Sequence, residues 1–260
     1  MLVGNHTEES KNIEFTIVVP AFNEEHRIGP TLDDYIKYFS NNQFGMHEII
    51  VVLNGCVDGT RSVVQRFESM NSHVRLIEFK EPLGKGGAIV EGFASALGEH
   101  LLFIDADNMV EADQASKLLD ALKRKEIAIG DRVRGDQIGG SRSLTRSAIS
   151  FLNRVWSLVF LNIPYRDTQC GAKALRSSAW LKIAPFIEER HWAFDLDLIA
   201  QARALNLSIE EVPVRWNHIE EGSKVRPLID VPKTFLSTFG IKRRVLRTKS
   251  STSFKGNMKK

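Results

Sequence analysis

The sequence predicts an α/β domain in which a mostly parallel central sheet is covered by helices on both faces. Two observations lead to this fold class. Short apolar runs of strand length recur along the first half of the chain, and each is followed by a segment with apolar residues at helical spacing. Several of the runs are apolar throughout, which is typical of strands buried on both faces. Strands that alternate with helices in this way form parallel sheets joined by helical crossovers.

The elements of the first half can be taken in order. The predicted strands are the segments 15–22, 48–55, 73–79, 100–107 and 126–132. The predicted helices between them are 23–40, 58–69, 85–97 and 112–124. In the first helix, Ile28, Leu32, Tyr35 and Phe39 recur at the three- and four-residue spacing of one helix face. Thr60 is a plausible cap of the second helix.

The pattern changes after Arg132. Residues 132–146 are polar, basic and contain glycines, which indicates a loop. Residues 147–163 are rich in Phe, Trp, Leu and Ile, interrupted by Asn153 and Arg154, and predict an amphipathic helix. The remaining predicted elements are a short strand at 172–175, a helix starting near residue 178, a helix at 192–206 and a strand at 208–216.

The length and composition suit one domain with short extensions. The chain has 260 residues, of which 43% are hydrophobic, so it can bury a sizeable core. We place the domain at 15–244, between a flexible N-terminus at 1–14 and a basic flexible tail at 245–260. The residues after Gly240 include many Lys and Arg and no acid, which suits a disordered end or an anionic surface.

Charge, cysteine content and hydropathy limit the classes of function. The net charge of +3 is mild, so nucleic acid is not an expected partner. Cys56 and Cys170 lie far apart and make no disulfide framework, which favours a reducing compartment. The N-terminus lacks the layout of a signal peptide, and no apolar run reaches the roughly 18–20 residues of a membrane span. We therefore expect a cytoplasmic protein that at most lies on a membrane surface.

Polar and glycine residues follow the predicted strands at their carboxyl ends, where ligands bind in open α/β sheets. We expect these residues to converge on one crevice. They are Asn23, Glu24, Asn54, Asp58, the segment 84–87, Asp105 and Asp107.

Asp105 and Asp107 flank one alanine directly after the apolar run 101–104. In a turn both carboxylates can reach one ion, and hard cations such as Mg²⁺ take a few protein oxygens beside water and substrate phosphates. An acid-rich surface turn is the alternative. The glycines at 84–87 open a helix, where the backbone can approach an anion, but their spacing is not that of the Walker or dinucleotide motifs. The position at a strand end favours a metal–nucleotide site.

Seven collinear motifs carry a resemblance to a known family. VVPAFNEE, VVLNGCVDGT, PLGKGGA and FIDADN resemble the nucleotide-sugar half of inverting family 2 glycosyltransferases, which have the Rossmann-like GT-A fold. DTQCGAKAL, WAFDLDLIAQA and IEEVPVRWNHIEEGSKV resemble the subgroup that transfers a sugar to a polyprenyl (dolichyl) phosphate. Within this subgroup the dolichyl-phosphate β-glucosyltransferases are most similar, and the mannosyltransferases come next. The resemblance runs from about residue 15 to residue 244.

The resemblance implies a nucleotide-sugar-binding half at 15–131 and an acceptor half at 132–244. The implied nucleotide-sugar-binding residues are Pro20, Ala21, Asn23, Glu24, Asn54, Asp58, Lys85, Gly86 and Asp105. The implied ligands for Mg²⁺ or Mn²⁺ are Asp107, which would hold the metal that bridges the diphosphate, and Asp105, which would contact the ribose or the metal. The implied catalytic residues are Asp105, Asp107, Asp167 and Gln169. The candidates on the acceptor and phosphate side are Arg132, Arg142, Lys224 and Asp195.

Two of these assignments depend on local detail. The family usually has two aspartates where this chain has Leu53 and Asn54, so recognition of a uridine or a guanosine base is open at this position. Asp195 and Asp197 lie about 200° apart around a helix, so both cannot face one site. A solvated helix face is the alternative for both, and we assign Asp195 to the acceptor side.

The resemblance implies that the chain transfers a hexose, with glucose from UDP-glucose favoured and mannose from GDP-mannose possible, to a polyprenyl phosphate. A phosphate acceptor is already an anion and needs cations, whereas a hydroxyl acceptor needs a general base, for which Asp167 is the candidate. Two alternatives remain: a soluble GT-A transferase with a saccharide or small hydroxyl acceptor, and an inactive nucleotide-sugar-binding protein. Helix 147–163 suits a core or an interfacial position, and with the basic tail it suggests peripheral attachment to a membrane.

Overall fold

The computed structural model describes residues 13–41, 44–132, 137–138, 144–217 and 227–257. The strands in these residues are β1 (Phe15–Ala21), β2 (His47–Asn54), β3 (Val74–Phe79), β4 (His100–Ile104), β5 (Ile127–Asp131), β6 (Gln137–Ile138), β7 (Ala172–Arg176), β8 (Ile209–Pro213) and β9 (Trp216–Asn217). The helices are α1 (Ile28–Asn41), α2 (Thr60–Met70), α3 (Lys85–Ala94), α4 (Ala112–Ala121), α5 (Leu144–Leu161), α6 (Ser177–Ile183), α7 (Phe194–Ala204) and α8 (Pro227–Asn257).

The centre of the described part of the chain is a seven-stranded sheet in the order β3-β2-β1-β4-β7-β5-β8. The pairs β1–β2, β1–β4, β2–β3 and β5–β8 are parallel. Strand β7 runs antiparallel to both of its neighbours, β4 and β5. The mostly parallel α/β sheet predicted from the sequence is therefore confirmed.

Helices cover both faces of this sheet because the side chains of each central strand alternate between two apolar cores. In β1, Ile17 and Val19 join the core that contains buried residues of α1, α2 and α4. Val18, which lies between them, joins the core that contains buried residues of α3, α5, α6, α7 and α8. Successive side chains of a strand point to opposite faces, so runs without alternation bury apolar surface on both sides.

Strand β7 enters the sheet between β4 and β5, which the sequence alone does not predict. Ala172 pairs with Ile104 of β4, and Lys173 pairs with Ile129 of β5. Because β7 is antiparallel, its beginning lies at the same edge of the sheet as the carboxyl ends of its neighbours. The turn 167–171, which precedes β7, is thereby brought beside the residues that follow β4 and β5.

Helix α8 continues through residues 245–257, which the sequence analysis assigns to a flexible tail. That expectation is wrong for these residues. Ile241, Val245 and Thr248 lie one turn apart and are buried, with exposures of 0%, 8% and 0%. Their spacing forms a helix face that packs on α7, and the Thr248 hydroxyl donates to Oε1 of Gln201 on that helix. Arg247 and Lys249 of this segment are exposed.

The predicted loop 132–146 contains strand β6, which pairs in parallel with β9. The segment 208–216, predicted as one strand, is divided into β8 and β9. The pairing holds the segment after β5 next to the segment after β8. Of the helices that the structure describes, none combines the length and the apolar character that crossing a membrane requires.

Candidate active site

A cleft opens at the edge of the sheet where β4 and β5 end and β7 begins. Its lining combines two carboxylates, a guanidinium, an indole ring and two apolar side chains. The lining residues are Asp105, Asp107, Met109, Val110, Arg132, Gly171 and Trp216. The convergence of strand-end residues predicted from the sequence thus occurs for the two aspartates, and β7 adds residues from the second half of the chain.

Asp105 is held at the end of β4 by the turn before β7. Its backbone amide donates to the carbonyl oxygen of Gly171 over 3.0 Å. A Cβ atom at position 171 would overlap the Asp105 carboxylate, so only glycine allows this approach. On its other side, Asp105 Oδ1 lies 2.7 Å from Nζ of Lys85. The carboxylate is therefore fixed between a glycine turn and a lysine.

Lys85 begins α3, and its ammonium contacts Asp105, a residue of the cleft lining. Burial disfavours its charge, but Asp105 and then Asp195 outweigh burial and raise the pKa of Lys85 well above its usual value. The Trp192 ring lies 5.7 Å from the ammonium nitrogen, within the range of a cation–π contact. Gly84, the residue before the helix, has φ +79°, a conformation that glycine adopts without strain. A Cβ atom at this position would also overlap the backbone carbonyl oxygen of Arg190.

Asp107 has less compensation for its charge than Asp105. Burial and then the charge of Asp105 raise the pKa of Asp107 to about 6, although Met109 N donates to its Oδ1 over 3.2 Å. Among the described residues, Asp107 has an ion-pair contact with Arg27, whose Nη1 lies 4.0 Å from Oδ2. Two carboxylates with excess negative charge are a donor set that suits a hard divalent cation.

The residues present fit Mg²⁺ or Mn²⁺ when substrate completes the coordination. Among the described residues there is no group of three or more His, Cys, Asp or Glu that could hold a metal alone. A site with one or two carboxylates is nevertheless usual for Mg²⁺, which keeps waters and binds substrate phosphates. Asp105 and Asp107 are the residues that would hold the ion.

Several residues predicted to bind the nucleotide also join the loops that follow β1 and β2. Asn23 adopts φ +55° and accepts from Val57 N over 2.9 Å. The Glu24 amide donates to the hydroxyl of Thr60 over 2.7 Å, and both Glu24 carboxylate oxygens accept from Arg27 over 2.6 Å. These contacts bring the Arg27 guanidinium toward Asp107.

Asp58 and Asn54 hold backbone in the same region. Burial acts to raise the pKa of Asp58, but hydrogen bonds from the hydroxyl and amide of Thr60 bring it below its usual value. The Glu25 amide also donates to Asp58 Oδ2 over 3.3 Å. Asn54 is buried and its Oδ1 accepts from Leu83 N over 2.6 Å, which ties the end of β2 to the turn before α3.

Asp167, which is buried, and Arg132, which is partly exposed on the cleft wall, form an ion pair beside the two aspartates. Nε and Nη2 of Arg132 donate to Oδ2 and Oδ1 of Asp167 over 2.6 and 2.9 Å, and the Arg132 amide adds a bond of 3.1 Å. Burial acts to raise the pKa of Asp167, but Arg132 outweighs it and holds the pKa below its usual value. Trp216 packs on the guanidinium at 5.4 Å. The Asp167 carboxylate is therefore stabilised in its ionised form by Arg132, which makes it a weak base.

Comparison with known proteins agrees with the motif order and the geometry. The family described as Glycosyl transferase family 2 matches residues 16–179. The chain belongs to glycosyltransferase family 2.

Curated relatives extend the similarity beyond that segment. The chain is 36% identical to a dolichyl-phosphate β-glucosyltransferase of Drosophila melanogaster, over 85% of this chain and 72% of the relative. It is 32% identical to the human protein of that name, over 84% of this chain and 72% of the relative. The yeast protein of that name, from Saccharomyces cerevisiae, is 29% identical over 87% of this chain and 73% of its own.

Solved structures with lower identity share the fold of this glycosyltransferase. Glucosyl-3-phosphoglycerate synthase of Mycobacterium tuberculosis in complex with UDP superposes with a TM-score of 0.64 at 18% identity, over 92% of this chain and 80% of that one. The same enzyme has been solved with Mn²⁺, UDP-glucose and phosphoglyceric acid, with a TM-score of 0.61 at 18% identity, over 92% and 79% of the two chains. The GT-A-like fold is therefore confirmed.

The remaining predicted site residues of the glycosyltransferase have different positions. Pro20 and Ala21 end β1, and Ala21 is buried there. Gly86 is buried at the start of α3, where a Cβ atom would meet the Phe194 ring. Nε2 of Gln169, in the turn before β7, is one of several buried side-chain atoms that have no hydrogen-bond partner within the described structure. The candidates Arg142 and Lys224 lie outside the described residues.

Asp195 does not face the cleft as an exposed acceptor contact. Its side chain is 2% exposed and pairs with Lys173, which is 0% exposed. The solvated-face alternative is also wrong for Asp197, which is buried and contacts Arg244 over 2.9 Å. Both carboxylates therefore form buried ion pairs, Asp195 with Lys173 of β7 and Asp197 with Arg244 of α8.

Sequence reasoning overlooked Arg27, Lys173 and the position of Trp216 on the cleft wall. Lys173 lies between the small apolar residues Ala172 and Ala174 of β7, and a cation in such a position is a signal of a buried charge. Arg27 follows Glu24 by three residues at the start of a helix, a spacing that allows contact. Trp216 carried no local signal that separates a cleft wall from a packing residue.

Proposed function

We propose that this glycosyltransferase is an inverting enzyme that transfers glucose from UDP-glucose to a polyprenyl (dolichyl) phosphate. The observation that carries the acceptor class is the ion pair between Asp167 and Arg132. Both carboxylate oxygens of Asp167 accept from the guanidinium, and its pKa is held low. A hydroxyl acceptor needs a general base, and a carboxylate in this state is a weak one. A lipid phosphate reacts as an anion and needs no base.

The donor side supports a nucleoside diphosphate sugar. Lys85 lies at the N-terminus of α3 beside Asp105. An ammonium group and a helix N-terminus both attract anions, so a diphosphate would be stabilised there. A Mg²⁺ or Mn²⁺ ion held by Asp105 and Asp107 would neutralise charge on the leaving diphosphate. UDP-glucose is favoured over GDP-mannose because the curated relatives are glucosyltransferases and the solved relative binds UDP-glucose.

The residues of the chain would orient the two anionic reactants for attack. Arg132 is fixed by Asp167 and by the Trp216 ring, so its charge is preorganised at the cleft wall. The unpartnered Nε2 of Gln169 is available to the transferred sugar or the acceptor. Attack by the lipid phosphate from the face opposite the leaving UDP inverts the anomeric carbon and breaks its bond to the diphosphate oxygen.

The surface formed by α5 and α8 suits attachment to an anionic bilayer, where a polyprenyl phosphate is found. The helices pack through aromatic rings, with Trp156 lying 4.6 Å from Phe160 and 4.4 Å from Phe235. Apolar side chains beside these rings remain exposed to solvent, with Val159 at 76% and Leu236 at 67%. Single exposed apolar residues are common, but a continuous patch marks an interaction site.

Charges next to the α5–α8 surface favour a lipid bilayer as its occupant. Arg154 on α5 and both Lys233 and Arg243 on α8 are exposed. Apolar side chains flanked by cations are the composition of helices that lie in the interface of anionic lipid. The surface belongs to the same face of the sheet as α3 and α7.

A transfer assay tests the reaction. The protein is incubated with Mn²⁺ or Mg²⁺, labelled UDP-glucose or GDP-mannose, and a short polyprenyl phosphate. Label from UDP-glucose should enter the organic phase, and Asp107→Ala should abolish the transfer. Label that stays in water on a new saccharide would instead support a hydroxyl acceptor. Nucleotide binding without turnover on any donor would support an inactive binding protein.

A further inference from the structure

Lys173 and Asp195 form a buried ion pair directly beneath the active-site cleft. Their side chains are 0% and 2% exposed. The Lys173 ammonium donates to the Asp195 carboxylate and, over 2.7 Å, to the carbonyl oxygen of Cys170, and it lies 5.4 Å from the Phe103 ring. A buried ion pair is a weak source of stability, because both charges lose their hydration and apolar side chains can serve as well. Its presence under the cleft calls for another role.

The pair joins two parts of the site that are distant in sequence. Cys170 belongs to the turn 167–171, which carries the Asp167 carboxylate and the Gln169 amide, and whose Gly171 carbonyl accepts from the Asp105 amide. Lys173 fixes this turn from below through the Cys170 carbonyl. Displacement of that carbonyl would therefore displace side chains on both sides of the cleft.

Asp195 lies in the first turn of α7, which is packed against the start of α3. Phe194, its neighbour, fills the space beside Gly86, and the Gly87 amide donates to the Arg190 carbonyl over 2.8 Å. The negative charge of Asp195 also acts on Lys85, the residue that contacts Asp105. Charges of alternating sign thus run from Lys173 in the core, through Asp195 and Lys85, to Asp105 in the cleft.

We propose that Lys173 and Asp195 are positioning residues of the sugar transfer, which hold the turn 167–171 against the donor-binding end of α3. The inference rests on the proposed function for the identity of the reaction. Its statement about the position of the turn does not depend on that function. Neither side chain contacts substrate. They act through the Cys170 carbonyl on Asp167, Gln169 and Asp105.

Asp195→Asn is the first test, because it removes the charge and retains the shape of the side chain. We expect hydrogen exchange of the backbone amides in 167–171 to accelerate, and UDP release from UDP-glucose to fall by roughly tenfold to a hundredfold, as for a displaced catalytic group. The KM for UDP-glucose should change less than about threefold. UDP release is measured with polyprenyl phosphate and with water as acceptors, so a wrong acceptor affects only the first measurement.

Asp197→Asn is the matched control. Asp197 lies on the same helix and is equally buried, but its partners include Arg244 of α8 and the amides of Glu188 and Glu189, none of which belongs to the turn 167–171 or to the cleft lining. We expect a lower Tm for this variant, with unchanged UDP release and unchanged exchange in 167–171.

The double variant Lys173→Met/Asp195→Leu separates positioning from stability. An apolar pair should restore the Tm while UDP release stays low, because no group then holds the Cys170 carbonyl. Restored UDP release in a stable double variant would overturn the proposal. So would an Asp195→Asn variant with unchanged exchange in 167–171 and UDP release within about twofold of the unaltered chain. If the double variant does not fold, the exchange measurement on Asp195→Asn decides. An unaltered chain that uses no polyprenyl phosphate contradicts the proposed function and leaves that measurement valid.

Discussion

The guanidinium of Arg132 donates to both carboxylate oxygens of Asp167, at 2.6 and 2.9 Å, across 35 residues of sequence. Each group therefore determines what the other can do. Asp167 cannot readily accept a proton, and Arg132 cannot leave the cleft wall, where Trp216 covers its other side. A charge held in this way can receive an anionic acceptor without paying the entropy of ordering a free side chain.

Arg132→Lys should lower the transfer rate although it keeps the charge. Lysine cannot make the two parallel bonds to Asp167, so the cation is no longer fixed at the cleft. We expect a decrease in kcat/KM for polyprenyl phosphate of roughly tenfold to a hundredfold, typical of a lost positioning contact. Arg124→Lys is the control, since Arg124 is exposed and pairs with Glu210 at the surface. Equal rates in the two variants would contradict a special role for Arg132.

Gly171→Ala should weaken the binding of Mn²⁺ with UDP. The new methyl group would overlap the Asp105 carboxylate and displace it from Lys85. Isothermal titration calorimetry with MnCl₂ and UDP should show a Kd at least about tenfold higher, the size of effect expected when a ligand shell is disturbed. Gly29→Ala is the control, because its Cβ atom would meet Val63 and Phe67 at 3.8 and 3.9 Å, ordinary contact distances.

The free energy of unfolding should decrease as the pH falls from 7 to 5, with a contribution from His47. Burial, and then the charge of His73, lower the pKa of His47 from 6.5. Between this lowered pKa and 6.5 the unfolded chain binds more protons than the folded chain, so stability rises with pH. His100 shifts in the same direction, again through burial.

Urea unfolding at several pH values checks this contribution. His47→Phe should make the decrease shallower, since a phenyl ring stacks on Phe15 without titrating. His26→Gln should leave the slope unchanged, because the His26 side chain is 89% exposed. A slope that is identical for all three proteins would show that His47 does not titrate in this range.

A chain that ends at residue 244 should be less stable than one that ends at residue 250. The shorter chain lacks Val245 and Thr248, which are buried against α7, and it leaves the Gln201 carbonyl oxygen without the Thr248 hydroxyl. An unsatisfied buried acceptor alone costs about 1–3 kcal/mol of unfolding free energy. Thermal unfolding of both chains measures the difference, and equal Tm values would restore the interpretation of a flexible tail from residue 245.

Val159→Glu/Leu236→Glu should reduce binding to anionic vesicles while leaving the fold intact. Both residues belong to the exposed α5–α8 surface, and new carboxylates there would be repelled by acidic lipid. Flotation with vesicles of phosphatidylserine and phosphatidylcholine measures the bound fraction. Leu181→Glu is the matched control, since Leu181 is 72% exposed on α6. Equal loss of binding in the control would contradict attachment through the α5–α8 surface.

Much of the fold follows from patterns within short segments of the chain. The strands of the first half lie within a residue or a few of their predicted bounds, because continuous apolar runs have few other stable solutions. A helix at 147–163 is also predicted, and the structure shows that it contributes Leu161 to a core and exposes Leu152 and Val159. Asp105 and Asp107 can be recognised from the sequence because they follow a buried strand. In parallel α/β sheets, ligands bind at the carboxyl ends of the strands.

The expectations that differ from the structure concern residues whose environment depends on a distant partner. The role of Asp195 on the acceptor side stays a prediction, but its carboxylate is buried and pairs with Lys173, 22 residues earlier. Residues 245–257 were predicted to be flexible because their composition is basic, although Val245 and Thr248 have the spacing of a buried helix face. Composition describes a segment as a whole, whereas burial depends on a few positions within it.

The sequence by itself determined the alternation of strands and helices, the polar residues at the strand ends and the family of the enzyme. These are properties of contiguous residues, governed by periodicity, glycine conformation and motif order. Only the tertiary structure decided the antiparallel insertion of β7, the pairing of Asp167 with Arg132 and that of Lys173 with Asp195. Strand order and ion pairs depend on which segments meet in space, and a charge in a local pattern does not specify its partner.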